Sequence, residues 1–308
     1  MGKIVTALHR LGFDEVYDTT FGADMTILEE SKEFPEIFGK GGPFPLFTSC
    51  CPAWVSFCEK RWPEFVSHIS TSYSPLQMSG SIIREYFKGQ NIMSVGIMPC
   101  TAKKSEILRD NLKRDGKQNI DYILTTEELI TMIKRAGIQF DMLESEAADM
   151  PFGMGSGGGV IFGNSGGVME AALRTLCSGS ERTELENLSM GGVRGPGPLR
   201  EFTFSYKGKE IKAAVVSGLA EADALLRRIK SGESFYHFVE VMACRRGCIM
   251  GGGQPVHAGY RTKEARKHGL YESDVNTQIR RSDENPLALS VYDTLIKGRE
   301  HELLHSHR

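Results

Sequence analysis

Five cysteines define the chemistry open to this chain. Two are adjacent, in Thr48-Ser49-Cys50-Cys51-Pro52, and they are answered by Cys100 in Met98-Pro99-Cys100-Thr101 and by Cys244 and Cys248. Four thiolates can hold an iron-sulfur cluster, which leaves the fifth for other work. Zinc is the rival ion for four thiolates, but structural zinc sites draw on short C-x-x-C knuckles in small domains. These candidates are instead scattered between positions 50 and 248. Successive residues direct their side chains apart, so one of Cys50 and Cys51 is expected to ligate while the other faces the reacting centre. A free thiol titrates near about 8.5, which suits a proton donor and acceptor once its surroundings adjust it.

The chain has seven cysteines in 308 residues. An odd number, with no secretory signal pattern, argues against a disulfide framework and for a reducing, cytoplasmic setting. Cys58 and Cys177 sit in helical apolar patterns and read as buried small hydrophobes. A formal charge of −2 gives no basic field for nucleic acid. No apolar run reaches the roughly 18 residues of a membrane span, so no membrane insertion is expected. Met1-Gly2-Lys3-Ile4-Val5-Thr6 fits a short myristoylation pattern, yet Val5, Leu8 and Leu11 fit a helix face equally well.

The elements that must position the thiols read as α/β. Glu29–Phe38 is an amphipathic helix ended by Gly39-Lys40-Gly41-Gly42-Pro43, and Phe44–Phe47 is a short strand leading into Cys50-Cys51. Ile92–Met98 is a buried strand that Pro99 terminates just before Cys100. Ile211–Gly218, Ala220–Ser231 and His237–Met242 form a βαβ unit whose second strand delivers Cys244. Ligands of open parallel sheets gather beyond the carboxyl ends of strands, where Cys51, Cys100 and Cys244 all arrive. The expected architecture is therefore two lobes with mainly parallel sheets flanked by helices, with the cluster in the cleft between them.

Two glycine-bearing stretches need separate treatment. Gly153–Gly159 contains a G-x-G-x-x-G spacing, but it precedes the strand-like Val160-Ile161-Phe162 instead of following a strand, so it reads as backbone closely approached by something bulky and not as a nucleotide site. Gly251-Gly252-Gly253 follows Cys248 and would let backbone amides reach cluster sulfurs. If a helix begins at Cys244, that thiol and Cys248 share one face at i, i+4. Gly191–Pro198 reads as a loop.

Thr48–Trp54, Met98–Glu106 and Glu240–Pro255 together resemble the three signature motifs of FeFe hydrogenases, and the similarity extends over nearly the whole chain. The resemblance implies a single catalytic domain over residues 1–308 that closes with a C-terminal segment. It implies an H-cluster, in which a 4Fe-4S cubane is joined through a cysteine sulfur to a diiron unit with CO, cyanide and azadithiolate ligands. By motif position Cys51, Cys100, Cys244 and Cys248 would hold the cubane, with Cys248 shared. Cys50 would be the proton donor, with Glu30, Ser70 and Glu33 as its relay. Lys103, Met98, Met242, Phe162, Ser74 and Pro99 would line the diiron pocket. The buried ammonium of Lys103 also has a rationale of its own, since it needs an anionic partner and a cyanide-bearing cofactor is one. Taken alone, Lys103 reads as a surface lysine, the three apolar pocket residues as plain core, and Glu30 and Glu33 as a solvated helix face.

The resemblance further implies ferredoxin or a similar electron carrier and the hydrogenase maturation proteins as partners, and says nothing of oligomeric state. Members of that family usually carry a segment ahead of the position of Gly2, with a strand whose turn touches the diiron unit, and this N-terminal part is expected to be absent here. Arg245-Arg246, Met250, Leu76 and Ile37 also depart from residues frequent in the family. Related iron-sulfur assembly factors and dihydrogen sensors form the alternative. The former generally lose the extra cysteine and the pocket lysine, and in the latter the relay is typically interrupted at that cysteine. His301, His305 and His307 suggest a docked C-terminal segment before a metal site.

Overall fold

Two sheets carry the strands that end at the cysteines. The computed structural model describes residues 2–114, 116–177, 192–255 and 260–306; Met1, Gly191 and His307 lie outside them. In chain order the elements are α1 (Gly2–Arg10), α2 (Thr19–Lys40), β1 (Leu46–Phe47), α3 (Pro52–Arg61), α4 (Pro75–Tyr86), β2 (Val95–Met98), α5 (Lys103–Glu106), β3 (Tyr122–Thr125), α6 (Thr126–Arg135), α7 (Gly157–Ile161), α8 (Gly167–Leu176), β4 (Leu199–Tyr206), β5 (Lys209–Ser217), α9 (Leu219–Lys230), β6 (Phe238–Met242), α10 (Tyr260–Asn276), α11 (Pro286–Asp293) and α12 (Glu300–Leu304). The larger sheet has the order β1-β6-β5-β4 and the smaller pairs β2 with β3.

Side-chain alternation explains the larger sheet. Ile211, Ala213 and Val215 face Phe34, Phe238 and the Val168–Leu173 stretch of α8. Ala214 and Val216 face Trp54 of α3 and Leu225 and Leu226 of α9 on the other side. With helices on both faces, β6 is buried at all five positions, as a central parallel strand should be. The expected βαβ unit is present, with β5 parallel to β6 from Ala213↔Phe238 to Ser217↔Met242. β1 is also parallel to β6. β4 is antiparallel to β5, joined through Lys207 and Gly208, both at positive φ. In the smaller sheet, β2 and β3 are parallel, with Met98 opposite Thr125.

Helix α2 is longer than the amphipathic stretch alone predicts. It starts at Asp18, whose side chain accepts from the Thr20 N–H, and ends at Gly41 in the left-handed region with φ 78°. Every residue from Phe21 to Glu30 is buried, so this half of the helix is core on all sides. Glu29 and Glu30 are therefore interior acids and not part of a solvated face.

Three local expectations are corrected or qualified. Val160 and Ile161 belong to α7 and not to a strand, because the Ser156 side chain caps that helix by accepting from the Gly159 N–H. The glycines before it are small for another element's sake. A Cβ on Gly155 or Gly159 would lie 2.2 Å from Thr20 Oγ1 or 2.5 Å from Thr20 O, both on α2. No helix begins at Cys244. Arg246 and Gly247 adopt positive φ, so the chain turns before a single 3-10 turn at Cys248–Met250. Cys58 and Cys177 are buried as expected, at 0% and 4% exposure. At the N-terminus, α1 buries Val5 and Leu8, consistent with the helix-face reading. No helix is long and apolar enough to cross a membrane among the described residues.

Candidate metal centre and proton path

The thiols are positioned by strand ends. Cys50 and Cys51 follow β1, and Cys51 stands at the N-cap of α3 with Pro52 in its first turn. Cys100 follows β2 by two residues and Cys244 follows β6 by two. Two of these strands lie in the larger sheet and one in the smaller, so the centre sits where the two sheets meet. The loop after Cys248 closes it. The Gly253 N–H donates to Pro99 O at 3.0 Å. A Cβ on Gly251 would lie 2.1 Å from Pro99 O, and one on Gly253 would lie 2.9 Å from the Cys100 nitrogen. Only glycine permits that approach.

Electrostatics group the thiols and divide the adjacent pair. Burial pushes Cys248 up, and Cys51, Cys100 and Cys244 add to the shift by repulsion while Lys103 opposes it. Burial likewise raises Cys51, against hydrogen bonds from the Ala243 and Trp54 amides. The Ala243 N–H lies 3.4 Å from Cys51 Sγ. Cys244 is raised by burial and by Cys100, and the Gly252 amide opposes the shift. Thiolates grouped away from water require cationic charge among them. Yet among the described residues no three His, Cys, Asp or Glu side chains converge as ligands of one ion would. Four cysteines brought to one place supply the all-thiolate donor set that an iron-sulfur cluster takes.

Cys50 looks the other way. Burial holds its thiol well above the ordinary value, reinforced by Glu30, Cys51, Glu240 and Cys248. It borders a cavity of about 1500 Å³ lined also by Met98, Pro99, Lys103, Phe162, Met242 and Cys248. The structure thus brings together on this cavity all but one of the residues expected in the diiron pocket. Ser74 is reached through Lys103, whose Nζ donates to Ser74 Oγ at 2.8 Å. Lys103 is buried, but its anionic partner lies within the chain. Nζ is 2.9 Å from Glu106 Oε2 and 3.3 Å from the Cys50 carbonyl. Burial works against that ammonium and Glu106 overrides it, so its pKa is raised.

The two acids and the serine expected to relay protons lie on α2 and beside it. Glu30, fully buried, accepts from the Ser49 N–H at 3.3 Å. Ser70, also fully buried, donates its hydroxyl to Glu33 Oε2 at 2.5 Å. Glu33 is partly exposed, so the group grades from interior to surface. Reading the sequence missed Glu240, which accepts from the Gly166 and Met169 amides at 2.6 and 2.8 Å beside the start of α8. Glu240 opens the Glu240–Pro255 motif, but nothing local marks it as a buried acid on a central strand. The C-terminal segment is docked as expected. The Tyr73 and Ser306 amides donate to Leu304 O and Thr71 O, each at 2.8 Å.

Comparison with known proteins agrees with these features. Residues 1–252 match the family described as "Iron only hydrogenase large subunit, C-terminal domain", and residues 260–307 match "Iron hydrogenase small subunit". "Iron hydrogenase 1" of Clostridium pasteurianum is 42% identical over 99% of this chain and 56% of its own length. "Cytosolic iron-sulfur assembly component 3" of Rattus norvegicus is 30% identical over 82% of this chain and 56% of its own length. Both relatives are thus little more than half covered. A solved structure of apo FeFe-hydrogenase HydA1 from Chlamydomonas reinhardtii, in a variant form, superposes with a TM-score of 0.86. That match is at 36% identity and covers 99% of this chain and 87% of the other.

Proposed function

This chain belongs to the iron-only hydrogenase family, and from that premise we propose that it interconverts protons, electrons and dihydrogen at an H-cluster. The observation that carries the reading is Cys50: a fifth thiol that faces the cavity and Glu30 while its neighbour faces Cys100. When bound, the H-cluster supplies the two-electron redox chemistry that combines two protons and two electrons into dihydrogen. Cys51, Cys100, Cys244 and Cys248 would hold the cubane, and Cys248, which also borders the cavity, is the ligand nearest the place of the diiron unit. Lys103 and Ser74 present donors at the cavity wall. Met98, Pro99, Met242 and Phe162 keep that wall free of competing water.

Proton delivery falls to this chain's own groups. Cys50, kept protonated by burial, hands a proton into the cavity and is recharged from Glu30, Ser70 and Glu33 in turn. Cys50 and Glu30 share one buried electrostatic environment, and the Ser70–Glu33 bond reaches the partly exposed end. Electrons enter on the side of Cys244, which is partly exposed and followed by exposed Arg245, from a ferredoxin-like acidic carrier. Seven free thiols favour a reducing cytoplasm, and maturation proteins would insert the diiron unit.

The second reading is an iron-sulfur assembly factor that holds a cubane without turnover, favoured by the 30% identical assembly component. Cys50 and Lys103 weigh against it, because a scaffold for a cubane alone has no use for a proton-bearing thiol and an ammonium at an adjoining cavity. Infrared spectroscopy after supplying maturation proteins or a synthetic diiron complex separates the two. Carbonyl and cyanide bands, with hydrogen production, are expected. A cubane without those bands leaves the assembly factor standing.

A further inference from the structure

The relay's outer end does not stop at Glu33. Ile37, one turn further along α2, can carry no proton, but a second polar chain leaves Glu33 in another direction. Glu33 Oε1 accepts from the Thr71 N–H at 3.1 Å and from the Thr71 hydroxyl at 3.5 Å. Thr71 Oγ1 lies 2.8 Å from His305 Nδ1. His305 Nε2 lies 2.8 Å from Glu29 Oε2. The other Glu29 oxygen accepts from Lys32 Nζ at 2.7 Å and from the Tyr292 hydroxyl at 2.5 Å. The ring of His301 stacks on that of His305, with centroids 5.0 Å apart.

We propose that His305, acting through the Thr71 hydroxyl, is the outermost proton-supplying residue of this relay. This rests on the reading that Glu33, Ser70, Glu30 and Cys50 carry protons to the cavity. Imidazole is the one side chain whose ordinary titration falls at neutral pH. In its cationic form both ring nitrogens donate, Nε2–H to Glu29 and Nδ1–H to Thr71 Oγ1. The Thr71 hydroxyl is then free to donate to Glu33. Transfer moves one proton per bond: Nδ1 loses its proton to Thr71 Oγ1 as the Thr71 hydroxyl proton passes to Glu33 Oε1. The ring is left neutral with its Nε2–H still on Glu29, and solvent returns the proton to a side chain that keeps 10% exposure. The charged and titratable groups around the ring are Glu29, Lys32 and Tyr292 beyond it, His301 on its face, and Glu33 across Thr71. Glu29 fits the part of a fixed counter-ion. Burial works against its charge, but His305, Lys32 and Tyr292 together lower its pKa to about 2, so it stays ionised beside the ring.

The alternative is that His305 only docks the C-terminal segment. Two measurements separate these roles. First, nitrogen NMR of the histidine rings in the protein without its diiron unit should show the His305 titration midpoint moving in Glu33→Gln. An unmoved midpoint overturns the proposal. Second, turnover across pH is compared in mature wild type, His305→Gln, Thr71→Val and Glu33→Gln. Thr71→Val keeps the shape and the backbone bond to Glu33 but removes the hydroxyl. We expect both His305→Gln and Thr71→Val to lose roughly fivefold on the alkaline side, with unchanged infrared bands and near-normal acid-side rates. That is less than the roughly 10²-fold loss for a group in contact with the reacting centre. If Glu33→Gln collapses while the other two keep the wild-type profile, the proposal fails and the relay stands. If Glu33→Gln keeps full turnover, the relay fails and takes the proposal with it.

Discussion

The thiol centre and the acid path beside it are built in opposite ways. The centre draws four strand and loop ends from positions 51 to 248 to the place where the two sheets meet, with glycines clearing the space between them. The acids beside it rest on a single element: Glu29, Glu30 and Glu33 share one helix, Ser70 and Thr71 meet it from the segment before α4, and His305 meets it from the far end of the chain. The centre needs a residue type that no other can replace. The path needs only protonatable groups at hydrogen-bond spacing, so its members are ordinary and replaceable in kind. A fault in the centre should therefore abolish assembly, whereas a fault in the path should slow a protein that remains assembled.

The largest effect tests the first half of that contrast. Cys100→Ser should remove a cubane ligand, and iron analysis together with electron paramagnetic resonance of the reduced protein should find the cluster lost or reduced to a small residual fraction. A full complement of cubane in that variant would mean that Cys100 is not a ligand. Next in size is Cys50→Ala, which belongs to the path although it neighbours a ligand. Both parts of the H-cluster should assemble in it, while turnover falls by roughly 10²-fold or more, the scale of a lost general acid. Loss of the cubane in Cys50→Ala would erase the distinction between the two regions.

The smallest effect is on stability and comes from Glu29. Its folded pKa is about 2 against an ordinary 4.5, because hydrogen bonds from His305, Lys32 and Tyr292 outweigh burial. A depressed acid stabilises the fold above its unfolded pKa and loses that contribution as pH falls from about 4.5 towards 2. Denaturant unfolding of wild type and Glu29→Gln should therefore differ by on the order of 2–3 kcal/mol at pH 6 and converge only near pH 2 and below. A constant difference across that range would show that the variant acts through packing alone.

Legibility in the sequence followed the same division. Cysteine spacing marked the centre, and the βαβ pattern of residues 211–242 together with the proline-terminated strand before Cys100 placed it at strand ends; the structure agrees on each strand. The apolar run 160–162 reads as a strand, but Val160 and Ile161 fold in helix α7 and Phe162 caps its end, since so short a run carries no periodicity and the deciding contact is the Ser156 cap. Taken alone, Glu30 and Glu33 read as a solvated face because polar side chains on a helix ordinarily mark its exposed side, yet Glu30 is fully buried. Only the packing of α4, α7 and α8 around α2 makes that position interior.

By itself, the sequence determined which atoms could bind iron, the strand ends that present them, and membership of a family whose motifs are long. Those properties are local, fixed by side-chain chemistry and by backbone signals within a few residues. Tertiary structure alone decided which way Cys50 and Cys51 face, that Lys103 has Glu106 as its own counter-ion, and that His305 closes on Glu29 from the far end of the chain. Each of these depends on burial, and the His305 contact also on a partner distant in sequence. Desolvation and hydrogen bonding, which turn an ordinary acid or histidine into a proton carrier, exist only after the chain has folded.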